Sequence, residues 1–445
     1  MEHNDETTTA GTLGSKIEYG KFLDCVHCGL CTAACPTYLE TGDENKSPRG
    51  RIYLMRAITD GRLELTEEVR DSLDTCLDCR ACETACPSGV QYGRLIEPFR
   101  MDMEQRDAAT GNDPAQSWFH KYVLHGLLPD RGKTRTALLP ARMMQALRLD
   151  SAIEAVGLTK LLPGKMQRMF KQLPKLQSNV PALPEHLPAI GATRAKVGLF
   201  LGCVADAMFR QTHWATARVL QQNGCEVFVP QNQACCGAMH YHSGAGGPAM
   251  ELASQNAAAF DLDQLDAVIV NVAGCGAMLK EYPEIAHEVA PEDHRLQETL
   301  QPLTAKIKDV SEFLVELGPI APQGEIRLRA TYHDACHLCH AQQIRVQPRD
   351  LLKLIPGLEL VPLPESEICC GAAGSYNLTE PEMSDRLAKR KYRNIMSTAP
   401  QAVITGNAGC LLQIQSEMRH AGKKIPVMHP MDLLDCSYRG VEPPG

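Results

Sequence analysis

Two cysteine runs of one shape stand 51 residues apart near the start of the chain. The first is Cys25, Cys28, Cys31 and Cys35, followed by Pro36. The second is Cys76, Cys79, Cys82 and Cys86, followed by Pro87. This is the spacing of the loops that hold [4Fe-4S] clusters in bacterial ferredoxins. Three cysteines at such intervals let one tight loop wrap three corners of a cubane, and the fourth corner is held from outside it. The proline that follows has a fixed φ and no N–H to satisfy, so it suits the exit from the loop. In two-cluster proteins the fourth cysteine of each run ligates the other cluster. That pattern assigns Cys25, Cys28, Cys31 and Cys86 to one cluster, and Cys76, Cys79, Cys82 and Cys35 to the other. The competing chemistries are weaker. Zinc sites show paired cysteines separated by a spacer, and disulfides belong with export to an oxidising compartment.

A second set of cysteines lies in an internal duplication. The first copy carries Cys203, then Cys235-Cys236-Gly237, then Cys275. The second carries Cys336, then Cys369-Cys370-Gly371, then Cys410. The offsets are 133 from Cys203 to Cys336, 134 from Cys235 to Cys369 and 135 from Cys275 to Cys410. The stretches AVIVNVAGC (267–275) and AVITGNAGC (402–410) agree at six of nine positions. Self-similarity at a nearly fixed period marks a repeated structural unit.

The elements that position these cysteines follow from the patterning. The runs VGLFLGC, EVFVP, AVIVNV, RLRATYH, LELVPLP and AVITGN are short and apolar, and helical segments separate them. That alternation predicts a parallel sheet in each copy, with ligands at the carboxyl ends of the strands, where Cys203, Cys275 and Cys410 fall. Between the N-terminal runs, the spacing of Ile52, Met55 and Arg56 predicts one helix, and Thr66-Glu67-Glu68 predicts the start of another. The fold class is therefore mixed α+β: a helical, two-cluster ferredoxin-like module and then a duplicated α/β pair with parallel sheets. The expected divisions are a flexible tail (1–20), the cluster module (21–100), a helical basic connector with a proline-rich linker (101–195), a first repeat (196–318) and a second (319–445). Gly244-Ala245-Gly246-Gly247 follows no strand and is read as a loop, not as a nucleotide fingerprint.

Composition narrows the function classes. The 445 residues include 19 cysteines, 44% are hydrophobic, and the formal net charge is −8. A negative chain is not built for general nucleic-acid binding. The N-terminal residues are polar and acidic, without the apolar stretch of a secretion signal, and no apolar run is long enough to span a membrane. Many thiols without an export signal place the protein in a reducing cytoplasm. Against this background residues 121–175 carry eleven basic and three acidic residues. The stretch reads either as a surface for anionic lipid or an acidic partner, which would make the protein peripheral on the inner face of the membrane, or as a solvated connector.

At these motifs the chain resembles the iron-sulfur subunit of bacterial glycolate oxidase. The likeness rests on CVHCGLCTAACPTYLETGDENKSPRGRIYLMRA, CLDCRACETACPSGVQYGRL, ACCGAMHYH and GCGAMLKEY, and it runs from about residue 20 to about 435. The resemblance implies two CCG domains behind the cluster module. It also implies an electron-transfer subunit with no complete active site of its own. Such a subunit relays electrons from an FAD-containing subunit, which oxidises glycolate to glyoxylate, to the quinone pool or another acceptor. Related layouts occur in glycerol-3-phosphate and lactate dehydrogenase complexes and in heterodisulfide reductases. In the last, each CCG domain ends in CxxC. Here Met278 and Gln413 stand where the final cysteine would be. Four cysteines per copy remain, enough for one cluster each beyond the two [4Fe-4S] clusters of the module. A structural thiol set or a substrate-facing dithiol is the alternative. Cys339 has no counterpart in the first copy and reads as incidental. Cys225 and Cys436 read as buried thiols. His240, His242 and His333 lie near the repeated motifs, where they would tune a cluster, ligate iron or simply pack.

Overall fold

The computed structural model describes residues 13–110, 119–147, 149, 164–176 and 180–443. The cluster module is built on three helices. Pro48–Thr59 starts at Ser47, whose side chain accepts from the Gly50 N–H. Glu67–Asp74 starts at Thr66, which accepts from the Val69 N–H, and Gly93–Thr110 completes the set. Ile52, Met55, Leu73, Leu95, Ile96 and Phe99 are buried between them, the side chains that the helical spacing marks as the inner face.

Two sheets carry the duplication. The first has five strands in the order β1-β3-β2-β4-β5: β1 His186–Leu187, β2 Ala195–Phe200, β3 Cys225–Phe228, β4 Ala267–Val270 and β5 Ile307–Asp309. The second has the order β7-β6-β8-β9: β6 Leu328–His333, β7 Leu358–Val361, β8 Ala402–Thr405 and β9 Val427–Met428. All six runs expected as strands form them, and every pairing is parallel except β1 with β3. The antiparallel edge falls in the proline-rich stretch expected as linker. The Pro181 and Pro188 carbonyls there accept from Trp214 and Gln221, so the stretch is held against the first repeat. Strands β4 and β8 are buried along their whole length, as parallel strands covered on both faces must be.

The repeats share one core: Val197, Leu199 and Ile269 of the first sheet pack in the same cluster as Ala330, Ile404 and Met428 of the second. Their strand ends also meet. The Ala273 N–H donates to the Gly406 carbonyl at 3.1 Å, and the Gly274 N–H donates to Asn407 Oδ1 at 3.2 Å. The two cysteine sets thus face a common seam.

The described part of the basic stretch runs over the repeats. Arg131 donates to the Gln231 carbonyl. Arg142 donates to the Ala207 carbonyl at 3.1 Å, and Arg168 grips Asp385 with two bonds of 2.9 Å. These guanidiniums serve the connector. Arg148, Asp150, Glu154 and Lys160 lie outside the described residues.

Candidate metal centres

The first run surrounds the most exposed of the thiol sets. Cys28 is exposed, and Cys25, Cys31 and Cys86 are half-buried. Burial pushes the Cys25 thiol up, and the charges of neighbouring Cys86 and Cys28 push the same way. The fourth cysteine of the other run therefore lies beside Cys25. Leu23, Val26, Leu30 and Tyr53 are exposed apolar residues of this same end.

Cys35 leaves its own run and joins the second. It lines a cavity with Cys76, Cys79 and Cys82, together with Pro36, Pro48, Arg51 and Tyr92. Arg51 is 1% exposed. Its guanidinium bonds to the Ser72 carbonyl at 2.6 Å and to Thr37 at 3.0 Å, and it reaches 4.0 Å from Cys35 Sγ. The Asp78 N–H and the Tyr92 hydroxyl donate to Cys76 Sγ at 3.4 and 3.5 Å. A buried positive charge, inward-pointing donors and four thiols without a carboxylate among them suit a soft, negatively charged iron-sulfur group. The loop backbone is left-handed at His27 and Asp78, with φ of 54° and 48°, which are equivalent positions of the two runs.

The sulfurs of each CCG copy gather in the same way. In the first copy Cys203 and Cys235 are 3.3 Å apart, and Cys236 contacts both Cys235 and Cys275. In the second, Cys336 lies 4.0 Å from Cys369, and Cys370 lies 3.4 Å from Cys410. The glycine of each motif is required by conformation. Gly237 and Gly371 have φ of 84° and 86°, the region that favours glycine. A Cβ on Gly371 would lie 2.8 Å from the Ser384 carbonyl oxygen. In that turn the Gly237 N–H donates to Cys235 Sγ and the Gly371 N–H to Cys369 Sγ, both at 3.5 Å. Cys203 and then Cys236 donate to Cys235, holding its thiol well below the ordinary range. Cys336 and Cys370 are held down in the second copy, each first by Cys369. Four clustered thiols per copy, all buried except the half-buried Cys275, fit a thiolate-ligated metal group.

The second cluster run abuts the second CCG set. Cys79 shares a buried apolar cluster with Cys336 and Cys369. Burial pushes its thiol well up, and the charge of Cys336 is the next cause. The sequence gives no sign of this meeting of residues 257 positions apart.

The histidines separate. Among the described residues, His333 sits with Cys370 and Cys410, with ligand atoms of all three within 4.8 Å of one another. Its Nδ1–H donates to the Ser366 carbonyl at 2.9 Å, and its buried Nε2 has no hydrogen-bond partner. His240 stacks on His125 with ring centroids 4.7 Å apart, which is ordinary packing. His242 points away from the CCG cysteines towards Asp78 and Glu97. Cys339 donates to the Cys336 carbonyl at 3.8 Å, and Cys225 and Cys436 are buried. Gly246-Gly247 opens the helix Gly246–Ala259 and follows the short helix Ala238–Tyr241 instead of a strand.

Comparison with known proteins follows the same divisions. Residues 21–90 match the family described as "4Fe-4S dicluster domain", and residues 197–280 and 330–415 match "Cysteine-rich domain". Residues 115–173 match "Glycolate oxidase iron-sulfur subunit, linker region". The chain is 38% identical to a probable glycolate oxidase iron-sulfur subunit of Bacillus subtilis, over 94% of each chain. It is 32% identical to the glycolate oxidase iron-sulfur subunit of Escherichia coli, over 92% of this chain and 93% of that one. It is 28% identical to a fumarate reductase (CoM/CoB) subunit of Methanothermobacter marburgensis, over 94% of this chain and 73% of that one. No helix among the described residues is long and apolar enough to cross a membrane.

Proposed function

Because the chain belongs to the family of glycolate oxidase iron-sulfur subunits, we propose that it is the electron-relay subunit of a complex that oxidises glycolate to glyoxylate. In this reading an FAD-containing partner takes the electron pair from the hydroxyacid, and this chain passes electrons one at a time towards the quinone pool. Cys25, Cys28, Cys31 and Cys86 would hold one [4Fe-4S] cluster, and Cys35, Cys76, Cys79 and Cys82 a second. The sets Cys203, Cys235, Cys236, Cys275 and Cys336, Cys369, Cys370, Cys410 would each hold one more iron-sulfur group. Such groups supply one-electron chemistry, which a two-electron oxidation coupled to a distant acceptor requires.

The observation that carries the reading is the continuity of the thiol sets. The exposed set around Cys28 opens on an apolar rim, and the buried set at Cys79 packs directly on Cys336. Around them the protein supplies fixed positive charge and donors. Arg51 stands beside Cys35, Tyr92 donates to Cys76, and Asn407 donates to Cys410 at 3.5 Å. These groups would stabilise negative charge on the thiolates.

The test is co-purification under anaerobic conditions. The chain should emerge with a flavoprotein and with iron and sulfide. Glycolate should reduce an artificial acceptor only when both proteins are present. Glycolate oxidation by this chain alone, or stoichiometric flavin bound to it, would refute the division of labour.

A further inference from the structure

Three segments that have no local relation meet beside the second cluster run. Asp78 comes from the loop between Cys76 and Cys79, His242 from the stretch after the first CCG motif, and His337 from the residue after Cys336. One ligand atom from each lies within 4.8 Å of the others. Asp78 is 3% exposed. Its Oδ1 accepts from Arg80 Nε at 2.9 Å, whereas its buried Oδ2 has no hydrogen-bond partner. An unpartnered carboxylate oxygen in a dry interior is costly unless something positive meets it.

Each histidine has its other nitrogen occupied by a protein group. His242 Nδ1 lies 2.5 Å from Glu97 Oε1, and His337 Nδ1 lies 3.6 Å from Cys336 Sγ. In the neutral tautomer that metal binding requires, Nδ1 donates to these groups and Nε2 of each ring carries the lone pair; His242 Nδ1 also stands 3.9 Å from Asp78 Oδ2. Metal-binding histidines show this arrangement, in which a carboxylate or similar acceptor fixes ring and tautomer. The ring centroids are 5.9 Å apart and the planes are inclined by 53°. That separation leaves room for one ion bonded to both rings at about 2.1 Å.

Carboxyl groups outnumber guanidiniums around the group. Asp78, Glu83, Glu97 and Glu281 surround Arg80, and Glu281 and Glu288 flank Arg94. The nearby Arg100 is spent on the carbonyls of Leu73, Asp74 and Cys76. Five carboxyl groups thus face three guanidiniums, and burial pushes two of the five, Glu97 and Glu83, up from the ordinary carboxylate range. A cavity lined by His242, His337, Glu97, Gly274, Ala277 and Ala341, among others, adjoins the group. It has room for about one water-sized ligand beside Arg80.

We propose that Asp78, His242 and His337 bind a single divalent first-row transition-metal ion, separate from every iron-sulfur group. Two imidazoles and one carboxylate suit such ions, and the absence of thiolate sets the site apart from the cysteine sets. The ion clamps the cluster module to both CCG domains at one point. It also sets a fixed positive charge beside Cys79 and Cys336.

The probe is Mn²⁺, which prefers oxygen and nitrogen ligands to thiolates and is visible by electron paramagnetic resonance. The anaerobically purified protein is first treated with a hydrophilic chelator until other metals are gone, with iron and sulfide unchanged. One Mn²⁺ per chain should then bind and show nitrogen couplings from two imidazoles. In His242→Gln, with its iron and sulfide at the parental level, Mn²⁺ affinity should fall at least about tenfold. Absence of bound Mn²⁺, bound Mn²⁺ without nitrogen couplings, or unchanged binding in His242→Gln would each overturn the site. If the variant loses its iron, the couplings measured on the parent decide the matter alone. None of these readouts depends on glycolate or on a partner, so the outcome is independent of the relay function.

Discussion

The two CCG copies share a cysteine pattern and a strand topology, yet they surround their sulfurs with different side chains. Where the second copy has His333 the first has Phe200, which is 1% exposed and packs with Cys203, Cys235 and Cys236. Where the second has the buried Lys391 the first has the buried amide of Asn256. Lys391 Nζ bonds to the Glu365 and Ser366 carbonyls. Burial pulls its pKa below the ordinary value, against the attraction of Cys370, Cys369 and Cys410. Asn407, a donor to Cys410 Sγ, corresponds to Val272. The first site is thus lined with hydrocarbon and the neutral polar groups Asn256 and Tyr282, which donate to the Cys235 and Cys236 carbonyls, and the second with a cation, an amide and an imidazole. Positive charge and hydrogen bonds to sulfur raise the reduction potential of an iron-sulfur group. The second site also abuts Cys79. Duplication preserved the cysteines and released the surroundings to diverge; with an iron-sulfur group in each copy, these surroundings would make the second the stronger electron acceptor and the first the weaker.

The largest test of this difference removes one ligand from each copy. Cys370→Ser and Cys236→Ser should each lower the iron content by a similar amount. In the reconstituted complex, Cys370→Ser should cut turnover at least about tenfold, the scale on which metal sites respond to lost ligands or their supports. Cys236→Ser should cost less, because its set lies off the contact with Cys79. Equal losses would erase the functional distinction between the copies.

Exchanging the lining residue is the next test. Phe200→His puts a polar ring into hydrocarbon, and loss of the packed aromatic should lower unfolding free energy by about 3 kcal/mol. Denaturant unfolding of the anaerobic protein measures this. A change below about 1 kcal/mol would show that the first site tolerates the polar lining and that the contrast is incidental.

Lys391→Met removes the buried cation while keeping most of its volume. The midpoint potential of the second CCG centre should fall by about 59 mV or less, where 59 mV is a tenfold change in a one-electron equilibrium. The first centre should not move. Loss of the lysine's bonds to two carbonyls, which keep their other donors, should also cost about 1–3 kcal/mol of stability. A rise in potential in a redox titration would reverse the assignment of acceptor and donor. The smallest effect is expected from Asn407→Val, which gives the second copy the residue of the first. It removes one weak donor to Cys410 and one acceptor for the Gly274 N–H, a loss of about 1 kcal/mol. The potential should shift in the same downward direction as for Lys391→Met, but less.

Much of this protein was legible in its sequence because iron-sulfur loops are local objects. The interval from Cys25 to Cys35, or from Cys76 to Cys86, is set by the size of a cubane, and so it can be read without a fold. The duplication was legible for a similar reason: strands β2, β4, β6 and β8 are apolar runs, and each set of cysteines stands at or just beyond their ends. The short edges β1, β5 and β9 have two or three residues, too few for any period to show. What only the tertiary structure decided are the meetings of distant surfaces. Cys79 lies on Cys336, Phe200 and His333 take equivalent places with unlike neighbours, and Asp78, His242 and His337 converge from three segments. Spacing along the chain is fixed by covalent geometry and local turns. Contacts between modules are fixed by how their apolar faces pack, and no period in the sequence records which face meets which.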